Sequence, residues 1–132
     1  DEPMDIDIYD PDTAPDPQAW LELSETERLL LVGDFHDQIG EELPNAQLHA
    51  VIHVVVENQL AEAYLPAVEA LARLMREDLS RHDAVHAIGS VLAEHIWTQT
   101  QGGSADEPAM VYEQALRTLT AQSWREHYDE PD

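Results

Sequence analysis

The sequence predicts an all-α fold: a single-domain, antiparallel helical bundle of about five helices. Three observations carry that expectation. Hydrophobic residues make up 43% of the 132 positions while aromatics make up 6%, so the core must be built from Leu, Val, Ile and Ala. With only five Gly, that palette favours helix. Capping signatures recur along the chain, each followed by apolar residues three and four apart. The length suits one core rather than two. The expected organisation is an acidic, Pro-rich tail over 1–18, a helical domain over 19–126, and an acidic tail over 127–132.

The first 18 residues, DEPMDIDIYDPDTAPDPQ, hold seven acids and four Pro, the composition of a solvated tail or an extended arm. Asp16-Pro17 then starts a short helical turn that carries Trp20, Leu21 and Leu23 inward. Ser24 and Glu27 form a capping box, and the helix they open runs through ERLLLVGDFHDQI to stop near Gly40. Pro44 and Asn45 precede a helix from Asn45 to about Ala63. Its Val51–Val56 stretch is β-branched and raises the possibility of a strand. The segment is too long for one, and Val54-Val55-Val56 breaks strict alternation. Pro66 suits the first turn of the next helix, with Ala67, Ala70, Leu71, Leu74 and Met75 on one stripe. Ser80 with Asp83 caps a helix through HDAVHAIGSVLAEHIWTQT. The run Gln101-Gly102-Gly103-Ser104 is a loop. Pro108 opens a last helix with Val111, Tyr112, Ala115, Leu116 and Leu119 facing inward.

Charge narrows the functional classes. The 28 acids against six basic residues, all Arg, leave a net charge of −22. Residues 1–44 carry 14 acids and one Arg, so the acidity is densest outside the histidine-bearing segments. Such a field repels phosphate backbones and anionic membranes, so no nucleic-acid or membrane partner is expected. A cation or a basic protein partner is favoured. No apolar run approaches the ~20 residues of a membrane span, and no secretory leader is visible, so a cytoplasmic location is expected. With no Cys, a bound metal would have to be held by imidazole and carboxylate. That donor set suits Zn first, with Fe, Ni, Co or Mn as alternatives.

The stretch LHAVIHVVVENQL is the most apolar in the chain, yet it carries His49, His53 and Glu57. Burying such groups unpaired costs several kcal/mol each, so partners are required. RHDAVHAIGSVLAEHIW supplies them: His82 and His86 repeat the i, i+4 spacing, which places two imidazoles about 40° apart on one helical face. Seven His in the chain predict well under one such pair by chance. Glu57 follows the first pair about 80° round from His49, and Glu94 borders the second about 120° from His82. Trp97 is expected to pack beside the site and His95 to project away. His82 sits in a first helical turn, where the dipole keeps its ring neutral. The expected ligand set is therefore His49, His53, His82 and His86, with Glu57 and Glu94 as further ligands or orienting groups. His36, in the polar run DFHDQ, is read as a surface residue in preference to a further ligand. A hydrolase drawn from Ser90, His86 and Glu94 lacks a nucleophile elbow and is set aside. The competing class is a non-catalytic acidic interaction module with a structural His/Glu cluster.

The two blocks resemble a family of small bacterial helical proteins known as domain of unknown function 1841. The shared pattern is an Asn before Leu-His-x-x-x-His with a Gln soon after, here Asn45, Leu48, His49, His53 and Gln59. A second His-x-x-x-His block follows and ends in Glu-x-x-Trp, here His82, His86, Glu94 and Trp97. Ala46 stands where the family often has Pro, and Glu57 lies one position before its acidic residue. The resemblance spans roughly residues 45–100 and implies no particular reaction, so whether the chain is an enzyme stays open at this level.

Overall fold

The computed structural model describes residues 6–39, 45–103 and 107–127. These form α1 (Pro17–Glu22), α2 (Glu25–Ile39), α3 (Ala46–Ala61), α4 (Leu65–Arg76), α5 (Arg81–Thr100), α6 (Pro108–Thr118) and α7 (Ala121–His127). There is no strand among the described residues. The expected helix stop at Gly40, Pro44, loop residue Ser104 and the tail beyond His127 lie outside them.

Most helix starts follow the caps read from the sequence. The Ser24 Oγ accepts from the Glu27 N–H at 3.1 Å while Glu27 accepts from the Ser24 N–H at 2.9 Å. Asn45 and Ser80 cap α3 and α5 through the Leu48 and Asp83 N–H groups. The bundle exceeds five helices because short helices flank the long ones. The α6 helix breaks where Leu119 is extended, and Thr120 and Ser123 then cap α7 by exchanging side-chain to N–H hydrogen bonds, both 3.0 Å. Helix α3 stops at a Schellman turn, with the Tyr64 N–H on the Gln59 carbonyl and the Ala63 N–H on that of Leu60. This turn puts Ala63 at φ 58°, a left-handed position without a glycine.

The β-branched run of α3 is helical because it is buried on two sides. Ala50 and Val54 join Tyr9, Trp20 and Val32 in one apolar cluster. Val56, with Ile52 and Val55 against it, belongs to a second cluster built with α4, α5, α6 and α7. A Val forgoes less than ~0.7 kcal/mol of helix propensity relative to Ala, whereas burying its side chain returns about 1.5–3 kcal/mol. Burial decides the conformation.

Cross-helix contacts define the directions. His49 meets His86, His53 meets His82, and Glu57 meets Arg81, so α3 and α5 are antiparallel. Likewise Arg28 reaches Asn58 while His36 packs on His49, so α2 also runs antiparallel to α3. Gly89 permits the α3–α5 approach: a Cβ there would meet Ile52 Cγ2 at 2.8 Å. Arg28 is itself buried, with Nε on the Trp20 carbonyl and a second nitrogen on that of Leu21, tying α2 to the end of α1.

Residues 6–16 precede α1 as a non-helical arm whose middle is buried. Asp10-Pro11-Asp12-Thr13 makes a turn closed by the Thr13 N–H on the Asp10 carbonyl at 2.9 Å, with Pro at the second position as such turns favour. Just before this turn Tyr9 is buried to 1% exposure, and within it Asp12 accepts from the His82 N–H at the start of α5. The arm is thereby fastened over the end of the bundle that holds the histidines.

Candidate metal centre

Four histidines from three helices converge. His36 comes from α2, His49 and His53 from α3, and His86 from α5, and one ring nitrogen from each lies within 4.8 Å of the other three. His36 and His53 are buried, at 6% and 1% exposure. His49 and His86 are half-buried. His53 Nε2 and His86 Nε2 are 2.9 Å apart, close enough to share a proton.

The hydrogen bonds behind the rings assign two tautomers. His36 Nδ1 lies 2.8 Å from the Val32 carbonyl; because a carbonyl only accepts, Nδ1 carries the proton and Nε2 is left with its lone pair. That Nε2 is buried without a hydrogen-bond partner among the described residues. For His53, Nδ1 lies 3.2 Å from the Tyr9 hydroxyl. The Tyr9 proton is already committed to Glu57 Oε2 at 2.5 Å, so His53 Nδ1–H donates to the tyrosine oxygen and its unprotonated Nε2 faces the cluster, 2.9 Å from His86 Nε2. Glu57 is held in turn by Arg81 in a bidentate pair, 2.8 and 3.0 Å, and Arg81 also donates to the Pro11 carbonyl at 2.8 Å. Burial, reinforced by the Glu57 charge, holds the Tyr9 phenol well above its usual range, so it stays a donor.

Electrostatics keep two of the rings, His53 and His86, neutral. Burial, with the neighbouring His86, His49, His36 and His82, lowers His53 to about 2. Burial together with His82, His49 and His36 lowers His86 to about 3. A neutral imidazole with a fixed Nδ1–H and a free Nε2 is the form that binds a metal. Nitrogens on a tetrahedral Zn lie about 3.4 Å apart given Zn–N bonds near 2.0–2.1 Å. A group spanning at most 4.8 Å closes on an ion with small rotamer shifts. The residues fit a divalent transition metal, with all four donors imidazole.

The sequence-derived set is thus redistributed. His49, His53 and His86 come together, and His36, expected on the surface, joins them. His36 lies four residues after Val32 and seven after Leu29, a helical stripe that its polar neighbours disguised. His82 stands beside the group, its ring 4.3 Å from that of His86 and 5.5 Å from Phe35, with Nε2 buried and lacking a hydrogen-bond partner among the described residues. Glu57 sits behind His53 rather than among the ring nitrogens, because Arg81 and Tyr9 hold both of its oxygens. Glu94 is exposed and borders a separate groove with His95 and Glu126, since 120° of helical rotation carries it off the histidine face. Trp97, expected beside the site, is 65% exposed. His95 is half-buried against Tyr112. The Ser90 hydroxyl donates back to the His86 carbonyl at 3.0 Å, an ordinary intrahelical bond. Tyr9 and Arg81 were not singled out from the sequence; the one signal for Tyr9 is an aromatic inside an otherwise acidic arm.

A cleft of ≈ 370 Å³ opens onto this centre. His49, His53 and His86 form its floor, and Leu48, Ile52, Val85, Ala93 and Trp124 stand around it.

No helix of the described residues is long and apolar enough to cross a membrane. No curated protein and no solved structure matches the chain significantly. A family model matches residues 14–128, well beyond the two histidine blocks and taking in all seven helices described. The chain belongs to the family described as Domain of unknown function (DUF1841).

Proposed function

We propose that the protein binds one divalent transition metal ion through His36, His49, His53 and His86, with Zn first among Fe, Ni, Co and Mn. The observation that carries this reading is the convergence of the four imidazoles, two of them hydrogen-bonded from behind so that an unprotonated Nε2 faces the cluster. Glu57 serves as an orienting group acting through Tyr9. His82 is a reserve ligand beside His86. Glu94 falls outside the proposed set. No reaction is assigned.

The test is elemental analysis of untagged protein purified without added metal, followed by Zn and Co titration after chelation. Near-stoichiometric metal is expected, with a melting temperature that falls on chelation and recovers on reloading. Free ion at 1,000 times its Kd should add about 4 kcal/mol to stability. His36→Ala should weaken binding, which a purely sequence-derived ligand set would not require.

A second reading has one observation in its favour. The His53–His86 hydrogen bond at 2.9 Å pairs two of the four rings without any ion, as a structural cluster inside an acidic interaction module would. Absence of co-purified metal, with no stabilisation by any of the five ions, would establish that reading instead.

A further inference from the structure

Half of the chain's basic side chains meet at one place. Of the six basic residues in a chain of net charge −22, Arg73, Arg76 and Arg117 line a single cavity of ≈ 470 Å³, together with Pro66, Glu69 and Ala72. It lies between α4 and the C-terminal end of α6, and none of its lining residues belongs to the four-histidine group. Glu69, Arg73 and Arg76 share one face of α4 at spacings of four and three. Arg117 stands in the last turn of α6.

The fold positions this group before any ligand arrives. Arg73 donates from Nε to the Leu119 carbonyl at 2.9 Å and from a terminal nitrogen to the Leu116 carbonyl at 2.7 Å. Those two bonds fix the guanidinium at the end of α6 beside Arg117 and use two of its five N–H donors. Arg117 donates to Glu113 at 3.1 Å and to Glu69 at 3.4 Å, with all three side chains about half exposed. Ion pairs at such exposure are weak and open to competition. An arginine in a last turn complements the helix dipole on its own account. That explains each residue singly, but it leaves three positive groups around one cavity whose lining holds one negative group, Glu69. Like charges so gathered repel, and a bound anion offsets the repulsion. Guanidinium forks recognise carboxylate and phosphate oxygens in pairs. Three forks from two helices match the several oxygens of a tetrahedral anion better than the two of a carboxylate. The acidic surface opposes polymeric anions, but screening confines its reach to about 8 Å at physiological salt, so a small ion responds chiefly to the local charge.

We propose that this cavity binds a phosphate dianion, free or carried by a small phosphomonoester, through Arg73, Arg76 and Arg117, with Glu69 as the group that the ligand displaces from Arg117. The volume falls within the range of small-molecule sites and leaves room for a short organic body behind the phosphate. The inference is independent of the metal reading, because α4 and α6 supply none of the four converging histidines.

The experiment follows the backbone amide and arginine Nε signals of the full, isotope-labelled chain by NMR. Inorganic phosphate, glycerol phosphate and acetate are titrated in turn at constant ionic strength. The phosphates should shift the signals of Arg73, Arg76 and Arg117 saturably, at least tenfold more tightly than acetate, and leave those of Arg28 and Arg81 in place. Tighter binding of glycerol phosphate than of phosphate identifies a monoester, and equal or weaker binding the free ion. Arg76→Gln, at an exposed position, should weaken the binding at least tenfold while the melting temperature in phosphate-free buffer stays close to that of the wild type. Glu69→Gln should tighten it severalfold, which a merely structural pair with Arg117 would not do. Signals indifferent to both phosphates overturn the inference, as does equally tight binding of acetate. Equal shifts at all six arginines also overturn it, being the mark of a diffuse ionic atmosphere. So does saturable binding that neither variant changes, since the phosphate would then sit elsewhere, the histidine centre included.

Discussion

Replacing Tyr9 by Phe should separate the role of the tyrosine relay from that of simple packing. The substitution removes the O–H that Glu57 accepts at 2.5 Å and the oxygen that receives the His53 Nδ1–H at 3.2 Å. A hydrogen bond to a charged acceptor is worth about 1.5–3 kcal/mol, and an unpartnered buried donor costs a further ~1–3 kcal/mol. His53, at 1% exposure, has no water to turn to. Its ring can relieve the orphaned Nδ1–H by moving the proton to Nε2, which is the nitrogen the metal needs. Metal affinity should therefore fall by about 10- to 100-fold, the usual effect of losing the group that orients a histidine ligand. Stability should fall by about 3 kcal/mol, or roughly 10 °C in melting temperature for a domain of this size. The assay is a competition titration of Zn against a chromophoric chelator, run beside thermal melts with and without metal. Tyr112→Phe is the control: it removes a phenol hydrogen bond from α6 to Gln59 on α3 at 2.8 Å, outside the group of four converging histidines. It should cost stability and leave Zn affinity as in the wild type. A Tyr9→Phe protein that binds Zn as tightly as the wild type would refute the relay.

The remaining predictions concern spacing, charge and backbone. Gly89→Ala would set a Cβ 2.8 Å from Ile52 Cγ2; overpacking of about 1–3 kcal/mol is partly offset by the ~1 kcal/mol gain in helix propensity. Melts should change little, yet Zn affinity should drop severalfold as α5 shifts from α3, and unchanged affinity would show that this contact does not set the ring spacing. Arg81→Met strands Glu57 in a buried site and should cost about 3–5 kcal/mol by urea unfolding, whereas adding Glu57→Leu should recover much of the loss. A single variant as stable as the wild type would contradict the pairing. Ala63→Gly relieves a left-handed residue at φ 58°: a strain of about 1–2 kcal/mol against an unfolded-state cost of about 0.4–1 kcal/mol. The urea midpoint should rise by the equivalent of about 0.5–1 kcal/mol, with Zn affinity unchanged; a lower midpoint would mean that Ala63 is not strained.

Local signals proved most informative where physics is local. The capping box at Ser24 and Glu27, the Asn45 and Ser80 caps and the Pro17, Pro66 and Pro108 starts all mark helix boundaries, because each satisfies or spares N–H groups within one turn. The His49/His53 and His82/His86 pairs were legible for the same reason: spacing along a helix is a one-dimensional property. His36 was not, because its neighbours Asp34 and Asp37 are polar and nothing local shows that α2 lays it against α3. Tyr9 was hidden for a further reason, since its partners His53 and Glu57 lie 44 and 48 positions away.

By itself the sequence determined that the chain is helical, where most helices begin, and that paired imidazoles lie on α3 and α5. The antiparallel packing decided which of those rings meet. Once Gly89 lets α3 and α5 approach and the arm brings Tyr9 over Glu57, four nitrogens from three helices face one another. Glu57 is drawn behind them by Arg81 and Glu94 is turned away by helical rotation. A cluster of like groups depends on distances between distant segments, and those distances are set by side-chain volume and buried hydrogen bonds that no single stretch contains.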